Sequence, residues 1–283
     1  IVNGDIRDKQ KIKDSCKNHD IFIHLACISN DASYLLDPEL SKTVNYDCFK
    51  DLVISAKENK IKRFIYASTS SVYGISNKKD VKEDHPLLPL TDYNKYKGLC
   101  EAILLDFSSD DFETVIFRPA TVCGYSPRMR FDLSVNILTC NALVNNKIKV
   151  FGGNQLRPNL HIKDYCKVVE LFIEEKKNKV NNQIFNVGYQ NLSIIEIANL
   201  VKKTLENKFD KKNIEIIKVP SNDNRSYHIN SDKINKVLNF SPKFSIENGI
   251  EEIVSRYKSK SFNDPLNNII YHNVKTLLKL KAE

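Results

Sequence analysis

No apolar run in this 283-residue chain approaches the roughly 18 to 20 residues that a membrane helix needs, and no signal peptide is expected at its start. The seven cysteines, at 16, 27, 48, 100, 123, 140 and 166, are odd in number and include no CxxC pair. A disulfide framework or a zinc site is therefore not expected. The thiols read as small buried hydrophobes in a reducing, cytoplasmic setting. Nor do the histidines form a metal-ligand pattern with other donors, so His24, His161 and His228 read as structural and no metal is expected. Glycine is scarce too: eight, at 4, 74, 98, 124, 152, 153, 188 and 249, and nowhere spaced as GxGxxG. That leaves two readings: a fold that binds no dinucleotide, or a chain without its glycine-bearing first unit.

The charge excess is modest, 43 Lys and Arg against 35 Asp and Glu for a net +8, and is spread mostly as lysine. It forms none of the dense basic stripe of a nucleic-acid binder. With 41% hydrophobic and 28% charged residues, the composition is that of a folded globular protein with one large domain or two coupled ones.

In the first half, short apolar runs alternate with helical patterns. "IFIHLA" (21–26), "RFIYAS" (63–68) and "ETVIFR" (113–118) read as buried strands. Helices are expected over 40–57, with Val44, Leu52, Val53 and Ala56 available for one face, and over 93–107. This alternation predicts an α/β fold, a Rossmann-like doubly wound parallel sheet. "IVNGDIRD" at the start reads as the tail of a strand already under way.

The second half is mixed. A helix at 133–144 precedes "IKVFGG", another ends near residue 175, and "IFNVG" follows. "SIIEIANLVKKTL" opens with a capping-box pattern, Ser193 and Glu196. "IEIIKV" reads as a strand, 234–238 and 246–257 as short helices, and the Lys- and Asn-rich last 25 residues as loosely packed.

The chemistry is concentrated in one constellation. Tyr93 and Lys97 form a YxxxK pair, which a helix places on one face. A phenol titrates near 10 and is a poor base at neutrality; a neighbouring ammonium favours the phenolate. Such a tyrosine can take the proton of a sugar hydroxyl while hydride leaves the same carbon. Thr69, at the end of the preceding strand, offers a hydroxyl to the same oxygen. "FIYASTSSVYG" lies upstream of the pair and "FRPATVCG" downstream.

With these motifs in place, the chain resembles the extended short-chain dehydrogenase/reductases that act on nucleotide sugars, the NAD-dependent epimerase/dehydratases, from Gly4 to about Ser259. The resemblance implies Thr69, Tyr93 and Lys97 as catalytic residues. It implies NAD, with NADP as the alternative, held by Asp5, Ile6, Leu25, Ala26, Cys27, Asn45, Pro119 and Val122 beside Tyr93 and Lys97. For a nucleotide-diphosphate sugar it implies Ser29, Asn30 and Asp31 at the hexose, Asn136 and Arg157 with Arg225 at the diphosphate, and Phe151 beside the base. Residues 1–126 and 158–188 would form the NAD-binding part, short of its first strand–helix–strand unit; 127–157 and 189–283 would form a smaller nucleotide-sugar part. A homodimer through the Tyr93 helix is implied in the same way.

Relatives that dehydrate across C5 and C6 carry Asp-Glu after the threonine, whereas this chain has Ser70 and Ser71. That resemblance-based comparison favours an NDP-hexose 4-epimerase, with a 4-keto-sugar reductase as the alternative. The rivals from other classes are a non-catalytic binding or scaffold member and an RNA binder; the intact Thr69, Tyr93 and Lys97 speak against both. Two strands missing from between "VNGDI" and "IFIHLA" would leave 21–26 with an open apolar edge.

Overall fold

The computed structural model describes residues 1–76, 78, 80–221 and 226–282. Its elements run in this order: α1 (Lys9–Cys16), β1 (Ile21–His24), α2 (Asp31–Tyr34), α3 (Pro38–Lys42), a π turn (Thr43–Asp47) and α4 (Phe49–Glu58). Next come β2 (Arg63–Ala67), a 3-10 turn (Ser70–Tyr73), α5 (Asp92–Asp106), β3 (Glu113–Pro119), β4 (Thr121–Cys123) and α6 (Ser134–Asn145). β5 (Lys147–Phe151), β6 (Leu156–His161), α7 (Ile162–Glu174), α8 (Lys177–Val180), β7 (Gln183–Val187) and β8 (Gln190–Ser193) follow. The chain closes with α9 (Ile194–Phe209), β9 (Glu215–Val219), α10 (Asp232–Leu238), α11 (Ile246–Lys258), a 3-10 turn (Ile269–Tyr271) and α12 (Asn273–Ala282).

β1, β2, β3 and β7 pair in that order as one parallel sheet. Because side chains alternate along a strand, β2 sends Phe64 and Tyr66 to one face and Ile65 and Ala67 to the other. Phe64 and Tyr66 pack with Phe49, Val53, Cys100, Leu104 and Ile116, under α4 and α5. Ile65 and Ala67 pack with Val115, Phe117, Val168, Phe172 and Phe185, under α7. β2 is thus covered on both faces, which is why residues 64–67 form a continuous apolar run. Full burial of each large side chain contributes about 1.5–3 kcal/mol.

A second core gathers α6, α9 and α11 around Ile148, Val150, Ile197, Val201, Ile250 and Val254. β4, β6 and β8 form a three-stranded sheet, and β5 pairs with β9. The Ser193–Glu196 capping box forms with both of its bonds and starts α9.

Several expectations are corrected. Residues 1–5 form no strand; Ile1 and Val2 are exposed, and no described strand lies alongside to satisfy their backbone. The helix expected over 40–57 is interrupted by the π turn. Strand β1 stops at His24, leaving Leu25 and Ala26 exposed, and its outer edge has no described partner, with Ile23 and Leu25 facing out. The tail is not loose throughout: Tyr271 is buried against Phe131 and Phe262, while Ile270, Leu278 and Leu280 are exposed. Residues Tyr227, Ile229, Ile234, Leu238 and Phe240, expected with the nucleotide-sugar part, join the core of the parallel sheet. Five thiols are buried as expected, but Cys27 is half-buried and Cys166 exposed. Among the described residues no helix is long and apolar enough to cross a membrane, and no group of three or more His, Cys, Asp and Glu could hold a metal ion.

Candidate active site

A cleft of about 870 Å³ opens beyond the carboxyl ends of β2 and β3, between the parallel sheet and α6. An open parallel sheet offers its ligand crevice at that end. Thr69, Tyr93 and Lys97 all line it. Thr69 leaves β2 in an extended conformation, and its hydroxyl accepts from the Ser71 amide, starting the 3-10 turn. Thr69 Oγ1 also lies 2.8 Å from Ser71 Oγ, which donates to the Asn94 side chain. Thr91 caps α5, its hydroxyl accepting from the Asn94 amide and donating to Asp31 Oδ1 at 2.6 Å.

Tyr93 and Lys97 share a face of α5 and both line the cleft. Lys97 Nζ donates to the Ala67 carbonyl at 2.8 Å and lies 4.9 Å from the centre of the Tyr66 ring. The Tyr93 phenol is pushed well above its usual value, first by burial and then by Cys27 and Asp31. Arg130 and the Asn30 backbone N–H pull it back. Lys97, the cation expected to favour the phenolate, is held at the end of β2 by its bond to Ala67.

Buried Glu101, one turn beyond Lys97, binds Arg118 with both oxygens and accepts from Ser68 Oγ. Arg118 Nη1 also donates to Tyr73 Oη at 2.6 Å and to the Glu83 carbonyl at 2.9 Å.

Leu25, Cys27, Pro119 and Val122 line the cleft, as do Ser29, Asn30, Asp31, Asn136, Phe151 and Arg157. Asn45 does not. Its side chain clamps both backbone groups of Ile28, accepting from N at 2.8 Å and donating to O at 2.9 Å, and so fixes the loop that carries Cys27 and Ser29. Asp5 and Ile6 lie outside the cleft; Asp5 pairs with Arg7 at 2.6 Å, which lowers its carboxyl to about 2. Ala26 is exposed and outside it too. Arg225 lies outside the described residues.

Asn136 is nearly buried and holds the rim, accepting from the Gly124 amide at 3.2 Å and donating to the Arg130 carbonyl at 3.0 Å. Helix α6 begins with no side-chain cap, and the Ser134 hydroxyl, on the cleft wall, has no hydrogen-bond partner among the described residues. Arg157 Nη1 donates to the Leu156 carbonyl at 2.9 Å.

Sequence reasoning missed Arg130, Asp132, Tyr165 and Val274, all of which line the cleft. One signal was available: in "RMRFD", Met129 and Phe131 are buried while Arg128, Arg130 and Asp132 face the cleft, a two-residue alternation.

The sequence model of the NAD dependent epimerase/dehydratase family matches residues 1–188. A dTDP-D-glucose 4,6-dehydratase of Homo sapiens is 29% identical over 278 residues, covering 93% of this chain and 76% of that protein. The structure of MoeE5 in complex with UDP-glucose and NAD superposes with a TM-score of 0.80 at 20% identity, covering 92% of this chain and 86% of that one. A UDP-glucose 4-epimerase from Thermotoga maritima, solved with UDP-glucose, gives a TM-score of 0.80 at 21% identity over 92% of this chain and 85% of its own.

Proposed function

The chain belongs to the NAD-dependent epimerase/dehydratase family, and from that premise we propose that it carries out NAD-dependent oxidoreduction at C4 of a nucleotide-diphosphate hexose, as a 4-epimerase. One observation carries the reading: Thr69, Tyr93 and Lys97 line a single cleft, and serines, not carboxylates, follow Thr69.

The residues present suit the cofactor. Leu25, Ala67, Pro119 and Val122 give the cleft apolar lining, and Lys97 lines it as well. They would hold the nicotinamide end of NAD, which when bound supplies the hydride acceptor and donor. Residues 1–126 and 158–188 would form that half of the site. Tyr93 Oη exchanges the proton of the sugar 4-hydroxyl, and Thr69 Oγ1 orients the same oxygen. Ser29 and Asp31 face the hexose. The uncapped start of α6, the Ser134 hydroxyl with no partner among the described residues, and Arg157 suit the diphosphate, since helix-start N–H groups and a guanidinium fork both favour phosphate oxygens. A homodimer through α5 is part of the same reading.

The dehydratase relative favours a second reading, 4,6-dehydration, and a mass measurement separates the two. The NAD-loaded chain is incubated with UDP-glucose and with dTDP-glucose. A 4-epimerase returns a sugar of unchanged mass and new configuration; a dehydratase returns one lighter by one water. A 4-keto-sugar reductase leaves both substrates alone and consumes reduced cofactor on a keto sugar. Tyr93→Phe is expected to cut turnover by a factor of about 10² to 10⁴, with nucleotide-sugar affinity kept. Cofactor and sugar-nucleotide binding without turnover of any substrate would sink the catalytic reading in favour of a binding member.

A further inference from the structure

The last residues of the chain reach the cleft, a contact that no motif announces. Tyr271 is buried in an aromatic cluster, its ring edge-on to Phe131 at 5.5 Å, and its carbonyl accepts from the Phe131 amide at 2.9 Å. This anchor delivers the start of α12 to the rim. Asn273 Nδ2 donates to Ser29 Oγ at 2.9 Å, and its backbone N–H to Asp132 Oδ2 at 3.1 Å. Its Oδ1 accepts from Arg128 at 2.8 Å. Val274, the next residue, lines the cleft itself.

Ser29 is thereby doubly held, because Arg130 Nη1 also donates to its Oγ at 3.2 Å. A hydroxyl has two acceptor lone pairs and one donor. With both lone pairs engaged, Ser29 has only its O–H left to offer, and a sugar hydroxyl oxygen is a suitable acceptor. Arg130 is fixed in turn by Asp132 at 2.9 Å.

We propose that the start of α12 is the sugar-facing wall of the cleft: Val274 limits the space for the hexose, and Asn273 is a positioning residue that holds Ser29 and Asp132 to read its hydroxyls. The inference rests on the reading of the cleft as a nucleotide-sugar site, with the hexose at Ser29–Asp31. It assigns selection among sugars to the end of the chain, leaving the nucleotide to other residues.

The test compares ligands with and without the sugar. Calorimetric titration of the NAD-loaded chain with UDP, dTDP and their glucose conjugates identifies the pair bound best. Asn273→Ala and Val274→Phe are then titrated with that pair, with thermal melts to establish folding. The expected result is an affinity for the sugar conjugate weakened about tenfold, the effect of one lost hydrogen-bonding group, with affinity for the bare diphosphate unchanged. Unchanged affinity for both ligands, or equal loss of both, overturns the proposal. If Val274→Phe fails to fold, Asn273→Ala decides alone, since its side chain is only half-buried at the rim. An unmodified chain that binds none of the four ligands overturns the underlying reading, and this inference with it.

Discussion

Replacing Glu101 by Gln tests the interior of the site through its most exacting contact. The Glu101 and Arg118 side chains are each 3% exposed and meet at 2.6, 3.0 and 3.2 Å. Gln keeps the shape and one acceptor but removes the charge, so the Arg118 guanidinium stays buried beside a neutral amide. Breaking a buried pair from one side costs about 3–5 kcal/mol, because the remaining charge has no water to return to. Exposure this low leaves little solvent screening. At about 2–4 °C per kcal/mol for a chain of this size, the melting temperature should fall by roughly 6–20 °C. The urea midpoint should fall with an unchanged slope. The double variant Glu101→Leu with Arg118→Met should recover part of that loss, since both charges leave together. It should not recover all of it, because Ser68, Tyr73 and the Glu83 carbonyl lose partners. A Glu101→Gln chain melting within about 2 °C of the parent would refute the reasoning, since the pair would then contribute less than about 1 kcal/mol.

Two further outcomes follow from burial and from the sheet edge. His24 is buried, and its environment, chiefly desolvation with Lys97 adding to it, lowers its pKa from 6.5 to about 3. The unfolded chain therefore takes up a proton below about 6.5 that the folded one refuses, so stability falls by about 1.4 kcal/mol per pH unit between 6.5 and 3 and is unaffected above. His24→Leu should remove that part of the acid slope in urea titrations at pH 7, 6 and 5, and an identical slope in the variant would count against it. On β1, whose only partner among the described strands is β2, Ile23→Lys should reduce concentration-dependent light scattering of these 283 residues, because a charge on a strand edge opposes edge-to-edge pairing; scattering that does not change would show that the edge is not the sticky surface.

The elements that could be read in the sequence are those whose signal is local. The alternation of Phe64 and Tyr66 with Ile65 and Ala67 identifies a strand covered on both faces. Ser193 and Glu196 mark the start of α9 because the capping box is closed within three residues. The spacing of Tyr93 and Lys97 likewise fixes a shared helix face. Contacts between distant segments carry no such signal. Nothing near Asn45 indicates that a π turn would aim its amide at Ile28, 17 residues away. Nothing near Asn273 points to Ser29, 244 residues earlier. The Asn- and Lys-rich tail looks solvated by composition, yet Tyr271 is buried against Phe131 and Asn273 bonds Ser29 and Asp132, contacts that composition does not reveal.

The same distinction explains why the motif places Lys97 on a helix face without showing what it touches. Spacing determines the face on which a side chain leaves a helix; the groups packed against that face determine its partner. Successive turns of α5 carry Tyr93, Lys97 and Glu101 on one face. Lys97 binds the Ala67 carbonyl at the end of β2, and Glu101 binds Ser68 next to it and Arg118 at the end of β3. Both charged residues thus tie the helix to the strand ends that carry Thr69 and Pro119. Tyr93, one turn earlier, is left facing Asp31 and Arg130 in the cleft. A phenol that must meet a sugar hydroxyl needs a fixed position before it needs a lowered pKa. In this chain the lysine of the YxxxK pair contributes to that position through the backbone of β2, and Arg130, in the loop before α6, draws the phenol back towards its ordinary range.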